Sequence, residues 1–501
     1  MKSTHYILII AVLINTMASC KKDFVDIQPQ GQFLTSNYYQ NKEQAFAALV
    51  AAYDPIRKNS GGFENMIALM NSGSDDHYTG GGNASDGNQL QAFSNYTMTS
   101  NLMAGSYWND PYQGIFRANV LLQKLPDVPM DEESRTRFAG EAKALRALYY
   151  FNLVRMFGRI PLIMEPLTAA TMYDVEQSAP EAVYAQIEKD LTEAIDALPP
   201  TVALATEGGR FTKGAAKALL GKVYLYEKKN DLAAAQLAEV NGTPGGTSAF
   251  GYKLLDNFAD LWVVSNKFNT ESILEETHSA AGNSDWGFWG SGRDEGNTLN
   301  VMVGPRSYER KDNAAPDLPS GWSFNVFTQN FYDFIKNDPR AEATLLDLNA
   351  LQTAGHADYI PGYMNTGYFL NKFLPRKSDV STGGGATELN YRQNTYVIRL
   401  ADTYLMEAEA LGATGARAQA LLDAVRDRVG LPSIPVSMNA IKNERRAELA
   451  GEGHRWFDLV RWGDAPAVLG SRGFVAGKHE VFPIPFRELQ GTKLTQNPNY
   501  D

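Results

Sequence analysis

Apolar residues recur every three to four positions through long stretches of this sequence, which is the spacing of one buried face of a helix. One such stretch begins after Asp131, a typical N-cap residue that two acidic residues follow, and ends before Gly158. Another begins near Ser178, has Pro180 in its first turn and stops at Pro199. The pattern therefore predicts two long amphipathic helices in the first half of the chain.

A pair of shorter helices is predicted next along the chain. Thr212 is the expected cap of the first helix, and the second covers residues 232–240 after a polar turn. Small residues at Ala218 and Gly221 would let the two helices pack closely. This helix–turn–helix unit resembles a tetratricopeptide repeat, and the pattern recurs loosely near residues 400–430. Because the spacing of the units is irregular, we predict a mainly α fold with tetratricopeptide-like helix pairs as its scaffold, and not a regular solenoid.

Long polar stretches interrupt this scaffold at about residues 72–101, 280–321 and 351–391, and these are rich in glycine and in small polar residues. A strand is predicted at residues 272–277, so a few short strands accompany the helices. Loops of this length within a compact protein usually carry function. We expect one domain over residues 21–501, in which the scaffold holds these three loop excursions.

The N-terminus has the form of a lipoprotein signal peptide. Lys2 precedes an apolar run, Tyr6 to Ile14, that is too short to span a bilayer, and small residues then lead to Cys20. Met17 stands where such a motif usually begins with leucine. Cys20 is the only cysteine, so no disulfide can form within the chain. We predict that residues 1–20 are the signal peptide and that acyl chains on Cys20 anchor the mature protein; the alternative is an ordinary signal peptide with a chance cysteine.

Charge and motif content narrow the function. The formal net charge of -11 disfavours nucleic acid and anionic lipid as partners. Nucleotide-binding, serine-hydrolase and zinc-protease motifs are missing from the sequence, and the six histidines are scattered. Two acidic pairs remain, Asp75-Asp76 and Glu275-Glu276, and a glycosidase would need two carboxyls that face one bond. Loop oxygens could bind calcium, but EF-hand spacing is missing. We expect a protein without enzymatic activity, cofactor or metal.

The C-terminal region carries the most specific motifs. Residues 443–463 read NERRAELAGEGHRWFDLVRWG, followed by FPIPFREL at 482–489 and QNPNY at 496–500. Further motifs lie upstream: YWNDPYQGIFRANVLL at 107–122, EAKALRALYYFNLVRMFGRIPL at 141–162, GWSFNVFTQNF at 321–331 and VIRLADTYLMEAEAL at 397–411. These motifs resemble those of the SusD/RagB family, in the same order and over nearly the whole chain.

The resemblance implies a helical protein on the outer surface of a Bacteroidetes outer membrane. It also implies a partner, a SusC-like TonB-dependent transporter for which the protein acts as a hinged lid. Most members bind oligosaccharides and some are associated with peptides. We therefore expect cell-surface binding of oligosaccharide nutrients and their delivery to the transporter. The alternatives are the same role with peptide cargo, a helical-repeat adaptor that binds only protein, and a surface hydrolase.

The signature motif is dense with opposite charges. Arginine forks pair well with carboxylates, so we interpret these residues as clamps between helix ends and not as a catalytic cluster. The residues concerned are Glu444, Arg445, Arg446, Glu448, Glu452, Arg455, Asp458 and Arg461. Trp456 and Trp462, at near-helical spacing, are predicted to be core residues, and Trp322 is interpreted as structural in the same way.

A sugar has apolar C–H faces and a rim of hydroxyls, so its site needs exposed aromatic planes and fixed hydrogen-bonding groups. The first two excursions offer both, and family members commonly build their glycan site from these regions. The predicted ligand-binding residues are Asp75, Asp76, His77, Tyr78, Asn83 and Tyr96 in the first excursion, and Trp286, Trp289, Arg293 and Arg306 in the second. The alternative is that each aromatic residue only packs its own loop. The third excursion, with Tyr363 and Tyr368, is the next region to consider.

Overall fold

A computed structural model describes residues 38–287 and 295–500. The predicted signal peptide, the predicted lipidation site Cys20 and two predicted ligand-binding residues, Trp289 and Arg293, lie outside the described residues.

Helices make up most of the regular structure. In chain order the α-helices are α1 (Lys42–Tyr53), α2 (Met66–Ser72), α3 (Asn88–Ser94), α4 (Ser106–Lys124), α5 (Glu132–Phe157), α6 (Pro180–Ala197), α7 (Leu204–Glu207), α8 (Lys213–Tyr226), α9 (Asn230–Asn241), α10 (Thr298–Val303), α11 (Gln329–Ile335), α12 (Ala341–Thr344), α13 (Leu348–Thr353), α14 (Leu400–Ala410), α15 (Gly415–Asp427), α16 (Met438–Glu448), α17 (Arg455–Trp462), α18 (Ala465–Leu469) and α19 (Phe486–Leu489). Among the described residues, no helix is both long enough and apolar enough to cross a membrane.

The strands are short and pair two by two. They are β1 (Ile160–Pro161), β2 (Gln177–Ser178), β3 (Ser272–Glu276), β4 (Arg306–Arg310), β5 (Leu345–Asp347), β6 (Ala357–Ile360), β7 (Tyr368–Leu370) and β8 (Thr395–Arg399). The pairs β1–β2, β3–β8, β4–β6 and β5–β7 are all antiparallel, and in the second pair Ser272 faces Arg399 while Glu276 faces Thr395. The strand predicted at residues 272–277 is β3, and it ends one residue before the predicted end, at Glu276.

The predicted helix boundaries are confirmed by the caps that form. The Asp131 side chain accepts a hydrogen bond from the Ser134 N–H at 2.8 Å, which starts α5, and Gly158 with a φ of 69° ends it. Thr212 caps α8 through the Ala215 N–H at 3.1 Å. These bonds satisfy backbone groups that a helix end leaves without an intrahelical partner.

The tetratricopeptide-like pairs are also confirmed. Helices α8 and α9 pack so closely that a Cβ added to Gly221 would lie 2.6 Å from Cγ of Leu237. Helix α9 then packs on α14, which pairs with α15, although about 160 residues separate α9 from α14 in the sequence. The long segment between them therefore leaves the helical scaffold and returns to it.

The excursions contain more regular structure than their composition indicates. The first includes α3, the second includes α10 and β4, and the third includes β6 and β7. Isolated bridges, His77 with Phe327 and Gly80 with Phe324, join the first excursion to the segment that follows the second. Because these pairings are between segments far apart in sequence, local patterns gave no sign of them.

Buried ion pairs join the strands to the C-terminal helices. The Arg399 guanidinium at the end of β8 donates to Glu271 at 2.9 Å, and it also donates to Glu448 at 2.6 Å. Arg340 donates to Glu448 at 3.0 Å, and Lys372 donates to Glu452 at 2.8 Å. All of these side chains are almost fully buried. We call this group, with its further members Asp338, Arg426, Arg428 and Glu444, the arginine–glutamate network.

A second buried group joins α8, α14, α16 and α17. Arg445 pairs with Asp402 at 2.7 Å and with Asp458 at 2.9 Å, and Lys222 pairs with Asp402 at 3.1 Å. Burial alone would raise the pKa of Asp402, but Lys222 and Arg445 hold that pKa well below its usual range. The signature charges are thus clamps between helices, as their interpretation as structural residues predicted.

Neutralising one member of the arginine–glutamate network should destabilise the fold. Burial opposes the charge of Glu448, yet Arg428, Arg399 and Arg340 hold its pKa well below the usual range, so its stabilising effect is present above the unfolded-state pKa and is lost as the pH falls. We expect Glu448→Gln to cost about 3–5 kcal/mol, because Arg340, Arg399 and Arg428 all stay buried with one carboxylate fewer to balance their charge. Urea unfolding at neutral pH measures this loss.

The matched control is Asp333→Asn, which neutralises an exposed carboxylate paired with Lys336 at 2.7 Å. Solvent screens that pair, so the free energy of unfolding should change little. Equal small effects in both variants would show that the buried network does not hold the fold together.

Candidate functional site

A cleft of about 850 Å³ opens where the first two excursions meet α4 and the segment after α1. Its lining combines aromatic, charged and amide side chains with several glycines. The lining residues are Arg57, Lys58, Gly61, Gly62, Phe63, Glu64, Ser85, Asp86, Gly87, Asn88, Gln89, Ser106, Asp110, Arg306, Trp322 and Phe324. Small-molecule sites combine apolar walls with placed polar groups, and in this lining the polar side chains outnumber the three aromatic ones.

Aromatic rings form the apolar wall. The ring centroids of Trp286 and Trp322 are 6.0 Å apart with a 36° angle between the planes, and Phe63 lies 6.2 Å from Trp322. Phe63 and Trp322 also pack against the hydrophobic core, which holds this side of the wall in place. Trp286 is 47% exposed. Because adjacent planes are tilted, the wall is curved.

Arg306 lies beside this wall in a fixed orientation. Its Nη2 donates to Oδ2 of Asp86 at 3.0 Å, and its Nε donates to the carbonyl of Trp322 at 3.1 Å. The same Asp86 oxygen accepts the Gly82 N–H at 2.7 Å. These bonds hold one cation and one carboxylate at the edge of the cleft.

A polar chain around Ser106, at the start of α4, forms another part of the cleft lining. Lys58 Nζ donates to Oγ of Ser106 at 2.6 Å, and Ser106 donates to a carboxylate oxygen of Glu64. Gln89 also donates to Glu64, at 3.4 Å. Burial lowers the pKa of Lys58, and the nearby Asp110 and Glu64 oppose that shift. These groups can offer hydrogen bonds at set positions without rearranging.

Close backbone contact makes the cleft possible. Gly80 has a φ of 72°, and a Cβ there would lie 2.1 Å from the carbonyl oxygen of Ser323. Only glycine allows the two loops to approach this closely. The contact brings Asp86 of the first excursion and Trp322, which directly follows the second, to the same cleft.

Three predicted ligand-binding residues lie at or near this cleft. Arg306 lines it, and Trp286 extends its aromatic wall. Asn83 lies in an exposed turn, where its Oδ1 accepts the N–H of Ser85 at 2.9 Å, and Ser85 lines the cleft.

The acidic pair of the first excursion points into the protein instead. Asp75 binds Arg455 at 2.8 Å and 2.9 Å, and Asp76, which is 1% exposed, accepts from Arg446 at 2.8 Å. These pairs join the first excursion to α16 and α17. Their carboxylates are therefore structural groups, and we leave both residues out of the site.

The remaining predicted residues of the first excursion are also held inside. His77 is bonded to the carbonyl of Asn325 at 2.8 Å, and burial lowers its pKa to about 3, so it is neutral near pH 7. The buried Tyr96 hydroxyl donates to the Gly73 carbonyl. Tyr78 is partly buried, and the Arg472 guanidinium lies 5.1 Å from the centre of its ring. We leave all three out of the site as well.

Sequence reasoning missed Phe63, Glu64 and Asp86, and it interpreted Trp322 only as a structural residue. Trp322 does pack on the core, but it also lines the cleft. One local signal was available for it: the polar and turn-forming residues 319–321 precede it, and no helical apolar spacing surrounds it.

Known proteins resemble this chain over almost its full length. A family profile described as "SusD family" matches residues 324–500, and one described as "Starch-binding associating with outer membrane" matches residues 23–225. A SusD-like protein, P25, from Formosa agariphila is 25% identical, with 97% of this chain and 96% of that protein covered.

Two solved structures share the fold as a whole. A laminarin binding SusD-like protein is 64% identical with a TM-score of 0.91, covering 92% of this chain and 100% of that chain. Surface glycan-binding protein A from Bacteroides thetaiotaomicron, in complex with laminarihexaose, is 25% identical with a TM-score of 0.81, covering 91% of this chain and 99% of that chain.

The fold is that of a tetratricopeptide-like helical scaffold whose loops build an aromatic-lined cleft. The chain belongs to the SusD family.

The two kinds of tryptophan should differ in their effect on stability. Trp456 is fully buried between Phe93 and Phe482, whose ring centroids both lie 5.4 Å away. We expect Trp456→Ala to cost about 3–5 kcal/mol, because it empties a large volume in the core. Trp286→Ala should cost only a small fraction of that amount, since its ring is half exposed. Thermal unfolding followed by circular dichroism compares the two, and equal losses would contradict the assignment of Trp286 to the cleft surface.

Proposed function

We propose that this protein binds oligosaccharides at the bacterial cell surface, leaves them uncut and passes them to a SusC-like TonB-dependent transporter. The observation that carries the proposal is the curved aromatic wall, in which Trp322 lines a cleft of fixed polar groups and Trp286 lies against Trp322. Aromatic planes stack on the C–H faces of sugars, while the polar groups bind the hydroxyl rim.

The chemistry of the cleft favours sugar over peptide and binding over hydrolysis. A peptide that is bound as an added strand uses an open sheet edge, whereas stacked aromatic planes suit sugar rings. Asp86 is paired with Arg306, and Glu64 accepts from Ser106 and Gln89. Carboxylates held in this way act as fixed hydrogen-bond acceptors.

We further propose a glucan of the laminarin type as the ligand. Two similar structures support this choice: one is of a laminarin binding protein at 64% identity and the other contains laminarihexaose. Successive rings of a β-1,3-linked glucan turn relative to one another, so the chain coils. The 36° tilt between Trp286 and Trp322 suits a curved chain better than an extended one.

The proposed anchor is the lipid on Cys20, with residues 21–501 as one domain outside the outer membrane. The sequence around Cys20 supports acylation, and the matching family description includes association with the outer membrane. Delivery to a transporter rests on the family resemblance.

Binding should depend on the aromatic wall. We expect laminarihexaose to bind the mature chain with micromolar or weaker affinity, because solvated hydroxyls gain little net free energy on transfer to the protein. Trp322→Ala or Trp286→Ala should weaken binding about tenfold to a hundredfold, or ~1–3 kcal/mol. Isothermal titration calorimetry measures the affinities, and chromatography should recover the hexaose intact.

Phe486→Ala is the matched control, since Phe486 is as exposed as Trp286, at 47%, but lies outside the cleft lining. Its affinity should equal that of the wild type. Normal binding by both tryptophan variants would place the site elsewhere, and cleavage products would contradict a binding-only role.

The lipid anchor is tested in cells. Cys20→Ala should abolish acylation and release the protein from the outer membrane, because the predicted anchor is then missing. Membrane fractionation in cells that lack the partner transporter checks this. A variant that stays membrane-bound in those cells would contradict lipid anchoring through Cys20.

A further inference from the structure

We propose that Glu388 is a positioning residue of the cleft. It fixes the plane of Trp286 and so sets the curvature of the glycan that the cleft selects. The inference rests on the proposed glycan binding and adds to it a determinant of linkage preference. It also gives a role to the third, glycine-rich excursion, which the site described above does not include.

Glu388 forms a hydrogen bond with the indole of Trp286. The indole Nε1–H of Trp286 donates to Oε1 of Glu388 at 2.8 Å, and Thr387 Oγ1 donates to the other carboxylate oxygen at 3.3 Å. A half-exposed indole on a loop has several rotamers available. A charge-assisted hydrogen bond at the edge of the ring favours one of them, and the carboxylate does not itself cover a face of the ring.

The turn that carries Glu388 is itself held in place. It lies in a 3₁₀ turn, Thr387–Leu389, whose last residue is buried, and the buried Asn390 follows. Asn390 Oδ1 accepts the Ser284 N–H at 2.8 Å, and Asn390 Nδ2 donates to the Ser284 carbonyl at 2.9 Å. This reciprocal pair joins the loop that carries Glu388 to the loop that carries Trp286.

Gly385, which precedes this turn, contacts the loop of Trp286. Gly385 has a φ of 82°, and a Cβ there would lie 2.3 Å from the carbonyl oxygen of Ser284. The Ala386 N–H donates to that same carbonyl at 2.9 Å. Glycine at 385 therefore allows the two loops to meet, and the meeting brings Glu388 within reach of the indole.

The geometry of the wall follows from this anchor. Trp322 is fixed by its packing on the core, whereas Trp286 is oriented through Glu388. Their 36° tilt, and with it the preference for a coiled chain, depends on both rings keeping their planes. Removal of this hydrogen bond loosens the plane of Trp286, so the preference for a coiled chain should fall.

The experiment compares Glu388→Ala and Glu388→Gln with the wild type, using laminarihexaose as the coiled probe and cellohexaose as the extended one. Glu388→Ala should lose about fivefold to tenfold in affinity for laminarihexaose, the effect of one charge-assisted hydrogen bond, and change little for cellohexaose. Glu388→Gln should keep the wild-type preference, because its amide oxygen can still accept from the indole. Glu309→Ala, which removes an exposed carboxylate outside the cleft lining, is the control.

Tryptophan fluorescence tests the positioning without any ligand. Glu388→Ala should shift the emission of the wild-type protein but leave emission unchanged in a Trp286→Phe background, where the other six of the seven tryptophans remain. Unchanged emission in the wild-type background, or an unchanged ratio of the two affinities, would overturn the role of Glu388. Wild-type protein that binds neither hexaose would overturn the proposed function and the curvature selection together, while the emission shift would still decide whether Glu388 positions Trp286.

Discussion

Pairing of buried charge around Arg399 is the constraint on which the rest of the structure depends. Arg399 contacts Glu271, Glu448 and Glu452, which lie just before β3, at the end of α16 and just after it, and all four side chains are almost fully buried. A buried charge without its partner is costly, so these segments can come together in only one register. The network need not add much net stability compared with an apolar core. Its effect is to specify how the long segment between α9 and α14 returns to the helical scaffold.

The cleft takes its shape from this scaffold through a second set of charges. Asp75 and Asp76 pair with Arg455 and Arg446 of the signature helices, which fixes the start of the first excursion. From there the chain reaches the bridge between Gly80 and Phe324 and carries Asp86 to Arg306. Asp75 and Asp76, which first suggested a ligand site, are therefore structural supports of the surface that we propose binds the ligand. Loops held in this way lose little conformational entropy when a ligand binds.

The division between scaffold and cleft fits a protein that captures a ligand and then releases it. In the proposed complex, stacking on Trp286 and Trp322 would gain apolar contact, while the polar groups of the cleft already bond to one another. If sugar hydroxyls replace those hydrogen bonds, the net free energy changes little. Selectivity then depends on the shape of the ligand more than on the strength of its hydrogen bonds. In this arrangement the angle between two aromatic planes matters more than the number of hydrogen bonds. That angle depends on residues of the second and third excursions and on Trp322, which directly follows the second.

The sequence by itself determined the helices and their caps, the tetratricopeptide-like pairs and the paired character of the signature charges. Each of these depends on residues close together in the chain or on a motif of fixed spacing. Only the tertiary structure decided that Asp76 and His77 are buried, that Trp322 faces the cleft and that Glu388 meets Trp286. The cleft joins residues from Arg57 to Phe324, and its aromatic wall reaches Glu388. Polar residues in a glycine-rich loop look alike in sequence whether they face solvent or a buried arginine, because burial depends on which distant segments pack against them.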